Sequence, residues 1–186
     1  EPRDATGIAH LLEHMLANKG TRRLGRNEAK QLYGQLGGRG LNAMTGTDHT
    51  SYVVDVPADR LAAWAAVEGD RFSEPVLRAF DTELEVVREE KRRGLDDPAR
   101  QLRELHDRML FGEHPYSAPI LGEIPHLLSL RVEQLEAFRR RWYVPGNMAV
   151  VLAGDFDPQR ALDWIAEAFS SLQGLSPERS EAEARG

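Results

Sequence analysis

Thr6-Gly7-Ile8-Ala9-His10-Leu11-Leu12-Glu13-His14-Met15-Leu16-Ala17-Asn18 is the stretch on which the reading of this chain turns. Its residues are continuous helix formers, with Thr6 as an expected N-cap and Gly20 as a stop, so a helix over 6–18 is predicted. With His10 at zero and about 100° per residue, His14 falls near 40°, Ala17 near −20° and Glu13 near −60°. Ile8, Leu11, Leu12, Met15 and Leu16 fill most of the remaining circle, which marks a buried helix. Its one polar strip carries two histidines and a glutamate, groups costly to bury unless paired, hydrogen-bonded or bound to a metal. His10 and His14 stand at i and i+4, with Cβ atoms about 5–6 Å apart. Both imidazoles can therefore reach one ion at about 2.0–2.1 Å, the zinc–nitrogen distance. Glu13 lies beside them, placed to take a proton from an activated water.

Two histidines leave a zinc site short of a third protein ligand. A helix expected from Pro75 to Gly94 carries Glu83, Glu85, Glu89 and Glu90. With Glu83 at zero, Glu90 falls near −20° and Phe80, Val86, Val87 and Gly94 lie within about 60° of it, whereas Glu85 and Glu89 point away with Arg88 and Arg92. Glu83 and Glu90 thus share the apolar stripe, and helical geometry leaves the choice between them open.

The rest of the chain reads as a mixture without strict strand–helix alternation. Helices are expected over 27–36, 58–72, 98–111, 132–142 and 158–172, with Asn27 opening the first and Pro98 and Pro158 opening two others. Leu41–Thr45 and Ser51–Val56 read as strands of a hairpin around Gly46-Thr47-Asp48-His49, and Met148–Ala153 as a short buried strand. The fold class is α+β, a mostly antiparallel sheet against several helices. The 186 residues suit about one domain, read as residues 1–173 with a polar tail over 174–186. With 41% hydrophobic and 29% charged residues a packed core is feasible. A net charge of −6 argues against nucleic acid, no apolar run reaches a membrane span, and the lack of cysteine excludes thiolate metal sites.

The order His10-Leu11-Leu12-Glu13-His14 is the inverzincin pattern, expected by chance about 0.02 times in a chain of this composition. That block, with Glu90 following His14 by 76 residues inside Glu83-Leu84-Glu85-Val86-Val87-Arg88-Glu89-Glu90, resembles the insulinase/pitrilysin metallopeptidases, which include the mitochondrial processing peptidase and bacterial relatives. Further blocks in the family's order are Leu41-Asn42-Ala43-Met44-Thr45, Asp48-His49-Thr50-Ser51-Tyr52, His114-Pro115-Tyr116, Tyr143-Val144-Pro145-Gly146-Asn147 and Ala153-Gly154-Asp155-Phe156. The resemblance runs from Arg3-Asp4 to about Leu172. It implies one Zn2+ per chain held by His10, His14 and Glu90, with Glu13 as the base for peptide hydrolysis and Glu83 orienting a ligand histidine. It also implies that backbone near Asn42 and Ala43 binds an extended peptide as an added strand.

The chain opens and closes as though cut from something longer. The resemblance implies earlier strands of the same sheet and a homologous second half, in the same chain or in a homo- or heterodimeric partner, that closes over the zinc. The piece alone is therefore expected to be a poor peptidase. The reading includes bacterial cytoplasm or periplasm as the compartment and peptides or presequences as substrates. Alternatives are a non-catalytic partner subunit and a structural α+β domain; intact His10, Glu13, His14 and Glu90 argue against the first. His49, His106, His114 and His126 are expected outside any metal site, Lys91-Arg92-Arg93 and Arg139-Arg140-Arg141 on solvated faces, and Tyr143 and Asn147 in packing and turn roles.

Overall fold

The computed structural model describes residues 1–174 apart from 19, 22, 26, 27, 74 and 78. Helix α1 (Ile8–Asn18) forms as its apolar run predicts, with Ile8, Leu11, Leu12 and Met15 at most 1% exposed. Its start differs from expectation. The Thr6 hydroxyl accepts the Glu123 amide at 3.0 Å and shares a 2.8 Å hydrogen bond with Nδ1 of His126, so it is committed across the core. The Glu1 carboxylate instead accepts the amides of Gly7 and Ala9 at 3.0 and 2.8 Å, filling the role of an N-terminal cap. Gly7, at φ +87°, lies so close to the chain at 121–122 that a Cβ would meet the Leu121 carbonyl at 2.7 Å.

Helix α2 (Glu28–Gln35) follows; Asn27, its expected first residue, lies outside the described residues. Strands β1 (Arg39–Thr45) and β2 (Thr50–Asp55) form the antiparallel hairpin, with Ala43 opposite Tyr52 and Thr45 opposite Thr50. The remaining helices are α3 (Leu61–Ser73), α4 (Phe80–Leu95), α5 (Pro98–Phe111), α6 (Ile124–Ser129), α7 (Val132–Trp142) and α8 (Pro158–Ala168). The α+β class holds, and among the described residues no helix is long and apolar enough to cross a membrane.

Three further segments depart most from the sequence reading, and α8 also ends at Ala168 rather than at 172. Pro75 pairs with Thr21 in an isolated bridge and the Val76 amide bonds the Gly20 carbonyl, so this segment is extended and α4 begins only at Phe80, after Ala79 at φ 63°. The short α6, which the sequence reading passed over, starts with Pro125 in its first turn and buries Leu127 completely. Met148–Ala153 is no strand: it finds no partner strand among the described residues, and Val151 is 85% exposed.

The core lies between α1 and α4, where Leu11, Leu12 and Met15 join Phe80, Leu84 and Val87, and it continues through Leu127, Leu130 and Leu135 of the following segments. The buried stripe of α4 is rotated slightly from the expected one. Val86 is exposed, while Lys91 is buried because its ammonium reaches both oxygens of Glu104 on α5 at 3.0 Å. A second polar node, in which Glu68 accepts from Tyr33 and from Arg71 at 2.5 Å, ties α2 to α3. Arg71 also stacks over the ring of Tyr52 on β2.

Two helix glycines separate close packing from open space. A Cβ at Gly69 of α3 would meet the Ala168 carbonyl of α8 at 2.2 Å, whereas one at Gly34 of α2 meets nothing within 4 Å. Gly69→Ala should therefore destabilise the protein by about 1–3 kcal/mol through overpacking, and Gly34→Ala should stabilise it by about 0.5–1 kcal/mol through helix propensity. Urea unfolding of the two variants checks the opposite signs.

Candidate metal centre

The polar strip of α1 meets the polar edge of α4. Nε2 of His14 lies 3.5 Å and Nε2 of His10 3.9 Å from Oε2 of Glu90. One ligand atom from each of the three residues falls within 4.8 Å of the others, a group that could hold a metal ion. Metal–ligand bonds of about 2.0–2.1 Å in a tetrahedron require ligand separations of roughly 3.3–3.4 Å, somewhat shorter than the 3.5 and 3.9 Å from Glu90 to the two imidazoles. Two imidazoles and one carboxylate also match a donor set that zinc takes in catalytic sites, with a fourth position left open. The residues present fit the metal.

Glu83, the other inward carboxylate, is placed differently. Its Oε1 accepts from Nδ1 of His14 at 3.0 Å, and its side chain is buried. Because a carboxylate can only accept here, the proton sits on Nδ1 and the lone pair of Nε2 is directed toward His10 and Glu90. Glu90 faces both Nε2 atoms, and Glu83 stands behind one ring. Glu85 and Glu89 face outward and pair with Arg88 and Arg92, as their angles predicted.

His10 gains no such tether; its Nδ1 is buried without a hydrogen-bond partner among the described residues. Burial first, then the nearby His14 and Arg100, lowers its pKa to about 4. The ring is neutral at pH 7, the form in which imidazole binds a metal.

Glu13 is also buried, and its Oε2 accepts the Thr45 hydroxyl at 2.6 Å. Thr45 ends β1, and its hydroxyl also lies 3.2 Å from that of Thr50 across the hairpin. The sequence reading missed Thr45. The signal available was its position as the last β1 residue before the turn, with a second threonine opposite it. Next to Thr45 opens a cleft of about 420 Å³ that Ala9, Thr47, His114 and Tyr116 help to line. Tyr143, expected in packing, shares a 3.1 Å hydrogen bond with Tyr52 on β2, and burial raises the pKa of both phenols.

Asn42 is exposed and Ala43 half-buried on β1, whose outer edge has no partner strand among the described residues. The other histidines stay apart from the group: His49 is exposed in the turn, His106 is exposed beside Asp107, His114 accepts the Tyr116 amide, and His126 bonds Thr6.

A pH dependence follows for the metal-free protein. His10 takes a proton near pH 6.5 when unfolded and only near pH 4 when folded, so the unfolded chain binds more protons between those values. Stability should fall as pH drops through that window. Urea titrations at pH 7 and pH 5 should show the loss in the wild type and a smaller loss in His10→Gln; identical losses would contradict the assignment.

Residues 1–123 match the insulinase family, peptidase family M16, and residues 129–185 match the peptidase M16 inactive domain. An uncharacterized zinc protease of Mycobacterium leprae is 32% identical over 187 residues, spanning 97% of this chain and 42% of that protein. PqqL, a probable zinc protease of Escherichia coli, is 28% identical over 89% of this chain and 19% of its own length. The crystal structure of a protease from Helicobacter pylori is similar with a TM-score of 0.90 at 26% identity, over 96% of this chain and 44% of that one. The first half of the periplasmic protease PqqL gives 0.82 at 26% identity, over 97% and 40%. This chain therefore spans less than half the length of these relatives. By the match over residues 1–123, it belongs to the insulinase family of zinc proteases, peptidase family M16.

Proposed function

We propose that this chain carries the zinc centre of a metalloendopeptidase that cleaves peptides or presequences. The observation that carries the reading is the convergence of His10 Nε2, His14 Nε2 and Glu90 Oε2, with the buried Glu13 on the same strip of α1. His10, His14 and Glu90 are the ligands of one Zn2+. Zinc supplies a Lewis acid for the scissile carbonyl and lowers the pKa of water toward about 7.

The chain's own groups do the rest. Glu83 holds the Nδ1 proton of His14, fixing the ring's tautomer and direction. The Thr45 hydroxyl, donating to Oε2, orients the Glu13 carboxylate, which takes the proton of the attacking water and hands it to the leaving amine. The open edge of β1 at Asn42 and Ala43 receives the peptide as an added strand, a binding mode in which main-chain hydrogen bonds supply affinity. Residues 1–173 act as one half-domain, supported by a core that runs from Ala5 to Leu135 with Phe169 and Leu172 packed against it. Of the tail over 174–186 only Gly174 is described. A homologous half, corresponding to the part of the longer relatives that this chain does not span, closes over the zinc. The compartment is the bacterial cytoplasm or periplasm, and PqqL is an example described as periplasmic.

Two substitutions test the roles. Glu90→Gln should lower zinc affinity at least about tenfold, in the range typical of altered metal sites, while Glu89→Gln, whose partner is Arg92 in solvent, leaves it unchanged; isothermal titration with zinc reads the difference, and equal losses would remove Glu90 from the ligand set. Glu13→Gln should keep one zinc per chain and lose about 10²-fold or more in hydrolysis of a quenched fluorescent peptide. Loss of zinc in that variant would make Glu13 a ligand and overturn its role as base.

A further inference from the structure

One cation beside the metal centre has no acceptor among the described residues. Arg88, Lys91 and Arg92 of α4 and Arg108 of α5 each hold a carboxylate. Arg93 and Arg103 lie in solvent. Arg100, in the first turn of α5, is half-buried, and among the described residues its guanidinium has no hydrogen-bond or ion-pair partner; its backbone amide is capped by the Asp97 carboxylate.

The position of that guanidinium is built. It lies on the backbone of Gly94, where a Cβ would meet its Nη1 at 2.3 Å and its Cζ at 3.2 Å. Gly94 is buried one helical turn beyond Glu90 on the same face of α4. Glycine inside a helix costs about 0.8–1.0 kcal/mol relative to alanine, and Gly94 has no left-handed backbone that would require it. The space it leaves is taken by Arg100. The guanidinium is also near enough to His10 for its charge to act on that ring.

A guanidinium stays protonated at any physiological pH and presents a planar fork of donors that matches a carboxylate in bidentate fashion. With no carboxylate of the described residues supplied to it, the matching acceptor arrives with the substrate. We propose that Arg100 is a specificity-determining residue that selects peptides bearing a carboxylate next to the scissile bond. The carboxylate is either an acidic side chain or a free C-terminus. The inference rests on the peptidase reading above, which supplies the peptide and its register beside the zinc.

The test uses the full-length protein containing this chain, zinc-loaded and carrying Glu13→Gln so that bound peptide is not turned over. Fluorescence anisotropy measures its affinity for labelled peptides of one sequence with Asp, Asn or Lys beside the cleaved bond, and for short peptides ending in a free acid or an amide there. Binding should be tenfold or more tighter for the carboxylate member of one pair, which identifies the source of the carboxylate. Arg100→Gln should abolish that ratio, Arg100→Lys should retain part of it, and Arg100→Glu should shift preference toward the Lys peptide. Ratios unchanged within twofold in Arg100→Gln and Arg100→Glu, or no carboxylate preference in the Arg100 protein, overturn the proposal. If Arg100→Gln unfolds, the Lys and Glu variants decide the same question. The two readings fail separately: a preference without hydrolysis by the Glu13 protein removes the peptidase function and keeps the carboxylate site, whereas hydrolysis without preference does the reverse.

Discussion

Enclosure of two imidazoles, one buried and one half-buried, and a buried carboxylate on one strip of an otherwise apolar helix is the constraint around which this molecule is arranged. Helix α1 sits in the core, with Leu11 and Leu12 fully buried, so His10 and Glu13 are carried inside with them. Polar groups in that position destabilise the fold unless their hydrogen-bonding capacity is met. Two elements meet most of it. Helix α4 brings Glu83 to Nδ1 of His14 and Glu90 to the Nε2 atoms, and β1 brings the Thr45 hydroxyl to Glu13. The apolar contacts of α1 with α4 fix the spacing of the groups between them, so the packing that stabilises the domain also positions its chemistry.

Much of this was legible in residue order. The i, i+4 histidines and the encircling leucines identified α1 and its buried face, because a 3.6-residue period converts spacing directly into direction. The same arithmetic separated Glu83 and Glu90 from Glu85 and Glu89. It could not divide the roles of the inward pair, which depend on where α4 crosses α1 and on which rotamer each carboxylate takes. Thr45 was invisible for a related reason: its partner lies 32 residues away, and only the docking of the hairpin on α1 brings them together.

Local signals failed where a distant contact outweighed propensity. Thr6 has the chemistry of an N-cap, yet its hydroxyl serves α6, and Glu1 supplies the capping carboxylate. Pro75 suits a helix start, yet backbone bonding at Pro75 and Val76 to the loop after α1 keeps them out of a helix. Met148–Ala153 has the composition of a buried strand, but composition does not provide a neighbouring strand to pair with. Arg100 illustrates the converse. Its place on a charged helix reads as ordinary solvation, and only the seat at Gly94 distinguishes it from Arg103 one turn along.

The central claim is that α1 and α4 together present two imidazole nitrogens and one carboxylate to a single zinc ion. X-ray absorption at the zinc edge of the loaded protein measures that directly. The account predicts one zinc with two imidazole ligands and a light-atom shell at about 2.0–2.1 Å, completed by carboxylate and water oxygen. An all-oxygen shell at longer distance, or a shell with one imidazole or three, would contradict it.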